Sequence, residues 1–280
     1  MERLAAAVRD EGWSGFARVQ PEGTNSGFAG GNNAAIRPLL AAATPPDFVM
    51  LLNPDTIVRP GALSALLAFV RDRPEIGIAG TRLEFPDGTP QFSAFRFPSL
   101  LGEVERGLRL GVATRLLRAH RVAPPPVDQA HRTDWVSGAA MLVRREVFRD
   151  AGLLDEGYFL YFEELDFCLQ AHRAGWHCWY VPAARVVHFE GQSSGVAGTR
   201  KIEKRMPRYW FESRRRYFTK NHGALYKTLA DLAWASTYAT WRARRPLFGK
   251  PDLDPPQLLG DFVKDSLPDL WRLLRGSGGE

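Results

Sequence analysis

Three residues past a continuous apolar run, Phe48-Val49-Met50-Leu51-Leu52, stands Asp55 in the stretch Asn53-Pro54-Asp55-Thr56. A carboxylate just beyond the end of a buried parallel strand sits where open α/β sheets hold their ligands. With Asn53 it offers hard oxygen donors for a divalent cation. An Asx-type turn stiffened by Pro54 would use the same residues. A second cluster runs Asp155-Glu156-Gly157-Tyr158-Phe159-Leu160-Tyr161-Phe162-Glu163-Glu164-Leu165-Asp166. Acids at a helix start complement the macrodipole by about 0.3–1 kcal/mol per charge, but that effect does not call for the preceding aromatics. Aromatic walls beside carboxylates suit a sugar, and partial desolvation raises a carboxyl pKa toward general-base duty. His188 closes the apolar stretch Val186-Val187 and alone reads as readily structural as ligating. The run Asn25-Ser26-Gly27-Phe28-Ala29-Gly30-Gly31-Asn32-Asn33 lacks GxGxxG spacing and reads as a tight turn into a helix.

The elements that must position these groups alternate. Helices are predicted over 2–11, 34–43, 60–71, 144–150 and 163–174. Strands are predicted over 16–19, 48–52, 76–83, 135–143, 176–182 and 184–189. Pro86-Asp87-Gly88-Thr89 carries a hairpin signal, and residues 99–132 read as helix and loop broken by Pro124-Pro125-Pro126. Strand–helix–strand alternation predicts an α/β fold with a parallel or mixed sheet covered by helices. From residue 200 onward the pattern is helical, basic and aromatic.

A chain of 280 residues with 45% hydrophobic and 24% charged residues builds a full core without staples. Cys168 and Cys178 alone exclude a disulfide scaffold and a cysteine zinc site, and suit a reducing cytosol. No run of 18 uncharged apolar residues reads as a membrane span, and the charged start lacks a signal core. The net charge of +6 is uneven: residues 196–245 hold 13 Lys+Arg against 3 Asp+Glu, and lysine first appears at Lys201. Interleaved with Tyr209, Trp210, Phe211, Tyr217, Phe218 and Trp234, these cations suggest contact with a membrane or a lipid diphosphate. Helices packing their aromatics inward, with a solvated basic face, would give the same pattern. Nucleic acid is the least favoured reading.

Taken in order, Asn25–Asn33, Leu51-Leu52-Asn53-Pro54-Asp55-Thr56, Trp135-Val136-Ser137-Gly138-Ala139, Tyr161-Phe162-Glu163-Glu164-Leu165-Asp166 and Val187-His188 resemble the family-2 inverting glycosyltransferases of GT-A fold, in particular their rhamnosyltransferase-like branch. The resemblance covers residues 1 to about 220. It implies a GT-A mixed sheet flanked by helices (1–199) with a basic helical C-terminal extension (200–280). It implies Mg²⁺ or Mn²⁺ held by Asp55 and His188, with Asn53 in place of the family's first acid. Glu164 falls where the family's base sits, more often an Asp, and Glu163 and Asp166 stay open as alternatives. Asn25, Gly27, Gly31 and Asn53 would border the nucleotide-diphosphate sugar, and Arg200 and Lys201 would close over its diphosphate. Ser137, Gly138 and Tyr161 would border the acceptor.

The donor so implied is dTDP-rhamnose or a UDP-sugar. The acceptor is a saccharide or a polyprenyl-diphosphate-linked sugar, in cell-surface polysaccharide synthesis. The expected location is cytoplasmic, peripheral on the inner face of the plasma membrane. Family members carry an additional nucleotide-binding front of about 45 residues, two strands and a helix, for which Met1 falls too late. A non-catalytic GT-A-like carbohydrate- or lipid-binding module is the competing expectation.

Overall fold

The structure, a computed structural model, describes residues 2–189 and 203–274. Helix α1 (Glu2–Asp10) buries no side chain. The strand expected at 16–19 does not form: Phe16 is 80% exposed and no ladder neighbour supports it. The glycine-rich run is not a turn but the first half of α2 (Gly27–Leu40), which buries Ala29, Gly30, Asn33 and Ile36 along one face. Gly30 serves close approach, since a Cβ on it would lie 2.6 Å from that of Ser26, whereas Gly31 faces open space.

β1 (Phe48–Leu52), β2 (Thr56–Val58), α3 (Ala62–Arg71) and β3 (Ile76–Glu84) follow. Next come β4 (Ala94–Phe95), α4 (Leu100–Leu108) and α5 (Gly111–Leu116). The Ser99 hydroxyl caps α4 by accepting from the Gly102 N–H. β5 (His131–Thr133), β6 (Trp135–Val136), β7 (Ala140–Arg144) and α6 (Arg145–Ala151) lead to α7 (Glu163–Arg173) and β8 (His177–His188). The single strand expected at 135–143 is thus broken at Ser137-Gly138-Ala139, which turns the chain from the small β4–β6 sheet into the main one. The two strands expected at 176–182 and 184–189 form one, β8, because Pro182 lies where the register with β3 shifts and no ladder donor is required.

The main sheet runs β1-β7-β3-β8-β2, with β5 also paired to β8. Only β3 and β8 are parallel; the other pairings in it are antiparallel. One apolar layer, including Val49, Ile78, Met141 and Val143, packs the sheet against α2, α6 and α7. A second, around Leu66, Val70, Ala79 and Leu142, packs it against α3. Each such fully buried side chain contributes about 1.5–3 kcal/mol.

The C-terminal helices α8 (Arg208–Arg244) and α9 (Leu258–Leu274) cover the α7 side. Gly223, at φ 85° and ψ 165°, breaks α8 into a hairpin. Arg214 of the first arm meets Asp231 of the second, and the Phe218 and Tyr226 rings stack at 6.3 Å. Tyr217, Phe218 and Ala230 then join Tyr158, Leu165 and Leu169 in one core cluster.

Much of the basic excess of this region is internal. Arg214 pairs with Glu103 and Asp231, Arg216 and Lys220 with Asp155, and Arg215 with Asp265. The inward-packing reading therefore accounts for these cations. No helix among the described residues is long and apolar enough to cross a membrane.

Candidate active site

A cleft of about 870 Å³ opens where β1, β2, β8 and the heads of α2, α7 and α8 converge. The sheet register assembles its first pair of groups. Antiparallel pairing sets Thr56 opposite His188, and the Phe189 N–H donates to the Asp55 carbonyl at 2.9 Å. This brings the His188 Nε2 to 3.6 Å from Asp55 Oδ1, each side chain 15% exposed. The loop before Asp55 is pinned as well: the Asn53 N–H donates to the Ala139 carbonyl, and the Thr56 hydroxyl donates to the Asn53 carbonyl at 2.6 Å.

His188 is oriented from behind by Gln91, which is buried at 2% exposure. The Gln91 amide donates to the His188 carbonyl at 2.8 Å, and its Oε1 lies 3.3 Å from His188 Nδ1. With the proton on Nδ1 donated to Gln91, the Nε2 lone pair is left to face Asp55 and the cleft, the arrangement found behind metal-ligating histidines. One carboxylate oxygen and one imidazole nitrogen converging on an open cleft fit a divalent cation that takes its remaining ligands from water and a diphosphate. Among the described residues no group of three or more His, Cys, Asp and Glu stands together, so these residues offer such a site this pair.

The second pair comes from the head of α7. Glu163 and Glu164 occupy the first turn after Tyr161 and Phe162, whose φ values of 69° and 70° place two successive non-glycine residues in the left-handed region. Such residues cost about 1–3 kcal/mol each and persist only where their surroundings hold them. Here the Phe28 N–H donates to the Phe159 carbonyl, the Ser213 hydroxyl donates to the Leu160 carbonyl, and Phe162 packs on Tyr217. Gly27, at φ 74°, makes the first of these contacts possible, because a Cβ there would sit 2.0 Å from the Phe159 carbonyl oxygen.

Burial pushes the Glu163 carboxyl up to about 9, the charge of Glu164 adding to it. Burial also raises Glu164, against the opposing backbone N–H of Gly138. The Oε2 atom of each lacks a hydrogen-bond partner. Glu163 is 2% exposed; Glu164 is half-buried as a residue, with its Oε2 as inaccessible as that of Glu163. Gly138 admits Glu164 closely, its absent Cβ lying 3.4 Å from that of Glu164 and 2.9 Å from the Phe28 ring.

Of the residues expected at the site, Asn25, Gly27, Asn53, Asp55 and His188 line the cleft together with Ser137, Gly138, Tyr161, Glu163 and Glu164. Asp166 is not among the cleft-lining residues: its buried carboxylate meets Lys220 Nζ at 2.6 Å and the Asn221 amide at 2.6 Å, so it ties α7 to α8. Gly31 lies within α2, off the cleft. Arg200 and Lys201 fall outside the described residues.

Sequence reasoning missed Phe28, Met206, Tyr209 and Trp210, which complete the wall. It also missed Gln91 behind His188. Tyr209 stacks beside Tyr161 with ring centroids 6.1 Å apart and packs on Phe159 at 5.5 Å. The signal for Tyr209 and Trp210 was present as aromatics in a basic tail, but only the return of α8 onto the loop shows what they face.

Residues 15–211 match the family model described as glycosyltransferase like family 2. The N-acetylglucosaminyl-diphospho-decaprenol L-rhamnosyltransferase of Mycobacterium tuberculosis is 33% identical over 192 residues, covering 64% of this chain and 60% of that protein. Rhamnosyltransferase WbbL of Escherichia coli is 29% identical, covering 58% and 61%. The low-salt glycan biosynthesis hexosyltransferase Agl10 of Haloferax volcanii is 30% identical, covering 54% and 45%. The chain thus spans about 60% of the length of the first of these relatives. Among solved structures, GalNAc-T7 with UDP, GalNAc and Mn²⁺ superposes with a TM-score of 0.53 at 14% identity, over 96% of this chain and 49% of that one. The likeness concerns the fold, a GT-A mixed sheet flanked by helices.

Proposed function

This chain belongs to the glycosyltransferase like family 2, and on that premise we propose that its cleft transfers a sugar from a nucleotide-diphosphate donor to an acceptor hydroxyl with inversion. The observation that carries this reading is the convergence, in one cleft, of the Asp55–His188 pair with two buried glutamates and an aromatic wall.

Glu164 is the base. Burial raises both carboxyls, which strengthens an ionised member of the pair as a proton acceptor. Glu164 takes the role because it packs against Gly138 in the cleft wall and stands where the resemblance to the family puts the base. It removes the proton of the acceptor hydroxyl as that oxygen attacks the anomeric carbon in line with the departing diphosphate. Asp55 and His188 would hold Mg²⁺ or Mn²⁺, which when bound supplies positive charge to the leaving diphosphate. Asn25, Gly27 and Asn53 border the donor, with Arg200 and Lys201 assigned to its diphosphate. Ser137, Gly138 and Tyr161 border the acceptor, whose sugar rests against Tyr161, Phe159 and Tyr209.

Likeness to the mycobacterial and Escherichia coli rhamnosyltransferases favours dTDP-rhamnose over a UDP-sugar as donor. The mycobacterial likeness favours a polyprenyl-diphosphate-linked saccharide as acceptor, met from the cytoplasmic face of the membrane. Residues 1–199 form the catalytic unit in this reading. The extension at 200–280 lends it Tyr209 and Trp210. A cleft that brings Asp55, His188, Glu163 and Glu164 together favours catalysis over a non-catalytic binding module.

The test is transfer of radiolabelled rhamnose from dTDP-rhamnose, with Mn²⁺ or Mg²⁺, to a short-chain prenyl-diphosphate N-acetylglucosamine. Turnover that disappears in Glu164→Gln and survives in Asp166→Asn supports the assignment. Equal turnover of Glu164→Gln and the parent refutes it.

A further inference from the structure

The arms of the α8 hairpin run back so that residues near 241–248 lie at the same end of the molecule as Met206 and Trp210, and Met206, Trp210 and Trp241 share one apolar cluster. α4 ends there too: the Arg244 guanidinium donates to the Leu108 carbonyl, and Arg109 pairs with Asp254 and lies over the Tyr238 and Trp241 rings. Two short segments project from this junction. α5 follows Leu108 by three residues and presents Val112 (65% exposed) and Leu116 (78%). The turn Pro246–Phe248 follows α8 and presents Leu247 (83%) and Phe248 (65%).

Side chains this exposed project outward into solvent, a shape suited to a deformable layer more than to a rigid protein. Cations surround them. Arg115, Arg118 and Lys250 are exposed and enter no described ion pair, unlike the paired arginines within the hairpin. No acidic residue occurs within 109–121 or 241–250.

From these observations we propose that this end of the helical layer docks on an anionic lipid surface, inserting Val112, Leu116, Leu247 and Phe248 among the headgroups while Arg115, Arg118 and Lys250 meet lipid phosphates. The docked face adjoins the wall of the cleft formed by Met206 and Trp210. A saccharide on a membrane-held carrier would therefore reach Glu164 without leaving the surface. The inference rests on the proposed lipid-linked acceptor for its purpose, but on exposure and charge for its location.

The experiment is flotation of the full chain with vesicles of phosphatidylcholine alone or with about 30% phosphatidylglycerol, at low salt. The parent should float with the anionic vesicles only. Leu247→Asp/Phe248→Asp and Val112→Asp/Leu116→Asp should each lower partitioning at least tenfold. Arg115→Gln and Arg118→Gln should each lower it about fivefold. The two apolar pairs sit on separate elements, so misfolding of one, seen in its thermal melt, leaves the other to decide.

Absence of flotation, equal flotation on neutral vesicles, or variants that float like the parent would overturn the proposal. So would light scattering showing a parent dimer that the same variants dissociate, which would make a second copy the occupant. Flotation does not depend on sugar transfer, so an inactive chain that still docks would count against the catalytic reading alone.

Discussion

Replacing Glu163 by Gln isolates the cost of burying an ionisable group at the head of α7. An unfolded glutamate loses its proton near 4.5, whereas the folded one holds it to about 9. Below 4.5 both states are protonated and the stability is fully present. Above it the unfolded chain ionises while the folded one does not, so unfolding becomes easier by up to about 1.4 kcal/mol per pH unit. Between pH 4.5 and 8 the upper limit is about 5 kcal/mol. Relaxation of the 158–162 loop and entry of water from the cleft reduce this, and about 2 kcal/mol is expected. Glutamine matches the shape and neutrality of the protonated acid, and Glu163 Oε2 has no hydrogen-bond partner to lose. Glu163→Gln should therefore equal the parent at pH 4.5 and exceed it by about 2 kcal/mol at pH 8 in urea unfolding of the ligand-free protein. Sugar transfer should persist, since Glu164 is the proposed base. A stability difference that is the same at both pH values, or a loss at pH 8, would refute the reasoning.

Three further outcomes are expected. Gln91→Leu removes the acceptor behind His188 Nδ1 and should weaken Mn²⁺ binding about 10- to 100-fold by titration calorimetry, with the fold intact by circular dichroism. Gly27→Ala would drive a Cβ into the Phe159 carbonyl from a left-handed backbone. It should cost about 1–3 kcal/mol in chemical denaturation and lower turnover by displacing the Glu164 loop. Arg214→Met would remove the cation shared by Glu103 and Asp231, leaving Arg106 to the first and Lys227 to the second. Because each acid keeps one partner, a loss of about 2 kcal/mol in urea unfolding is expected, below the roughly 3–5 kcal/mol of an uncompensated buried charge, with lysine recovering part of it.

Much of the cleft was legible because its chemistry sits in local runs. Asn53-Pro54-Asp55-Thr56 follows an apolar run that does form a strand, although β1 is not the buried parallel strand its continuity suggests: it ends the described strand order, pairs antiparallel with β7 and leaves Leu52 45% exposed. The acids after the aromatic run announce a helix head. Glycine was less legible: the run at 27–33 looks the same whether its glycines make a turn or let a helix press against a neighbouring loop. The break at Ser137-Gly138-Ala139 and the union of 177–188 into one strand were hidden for a related reason. Both depend on which strand lies alongside, and pairing partners are not encoded in the local pattern.

By itself the sequence determined residue types and their local periodicity: an apolar strand followed by a carboxylate, an acidic helix head behind aromatics, a histidine at a strand end, and an uneven charge. Tertiary structure decided what those residues meet. Register across β2 and β8 brings His188 to Asp55. Burial raises the carboxyls of Glu163 and Glu164 together, at a helix head that would otherwise present two ordinary acids. Lys220 and Asn221 claim Asp166, and the packing of the C-terminal helices against each other and the rest of the fold turns much of a basic tail into intramolecular ion pairs. Solvation and charge pairing act through space over a few ångströms, and neighbours at that distance come from chain segments up to more than a hundred residues apart.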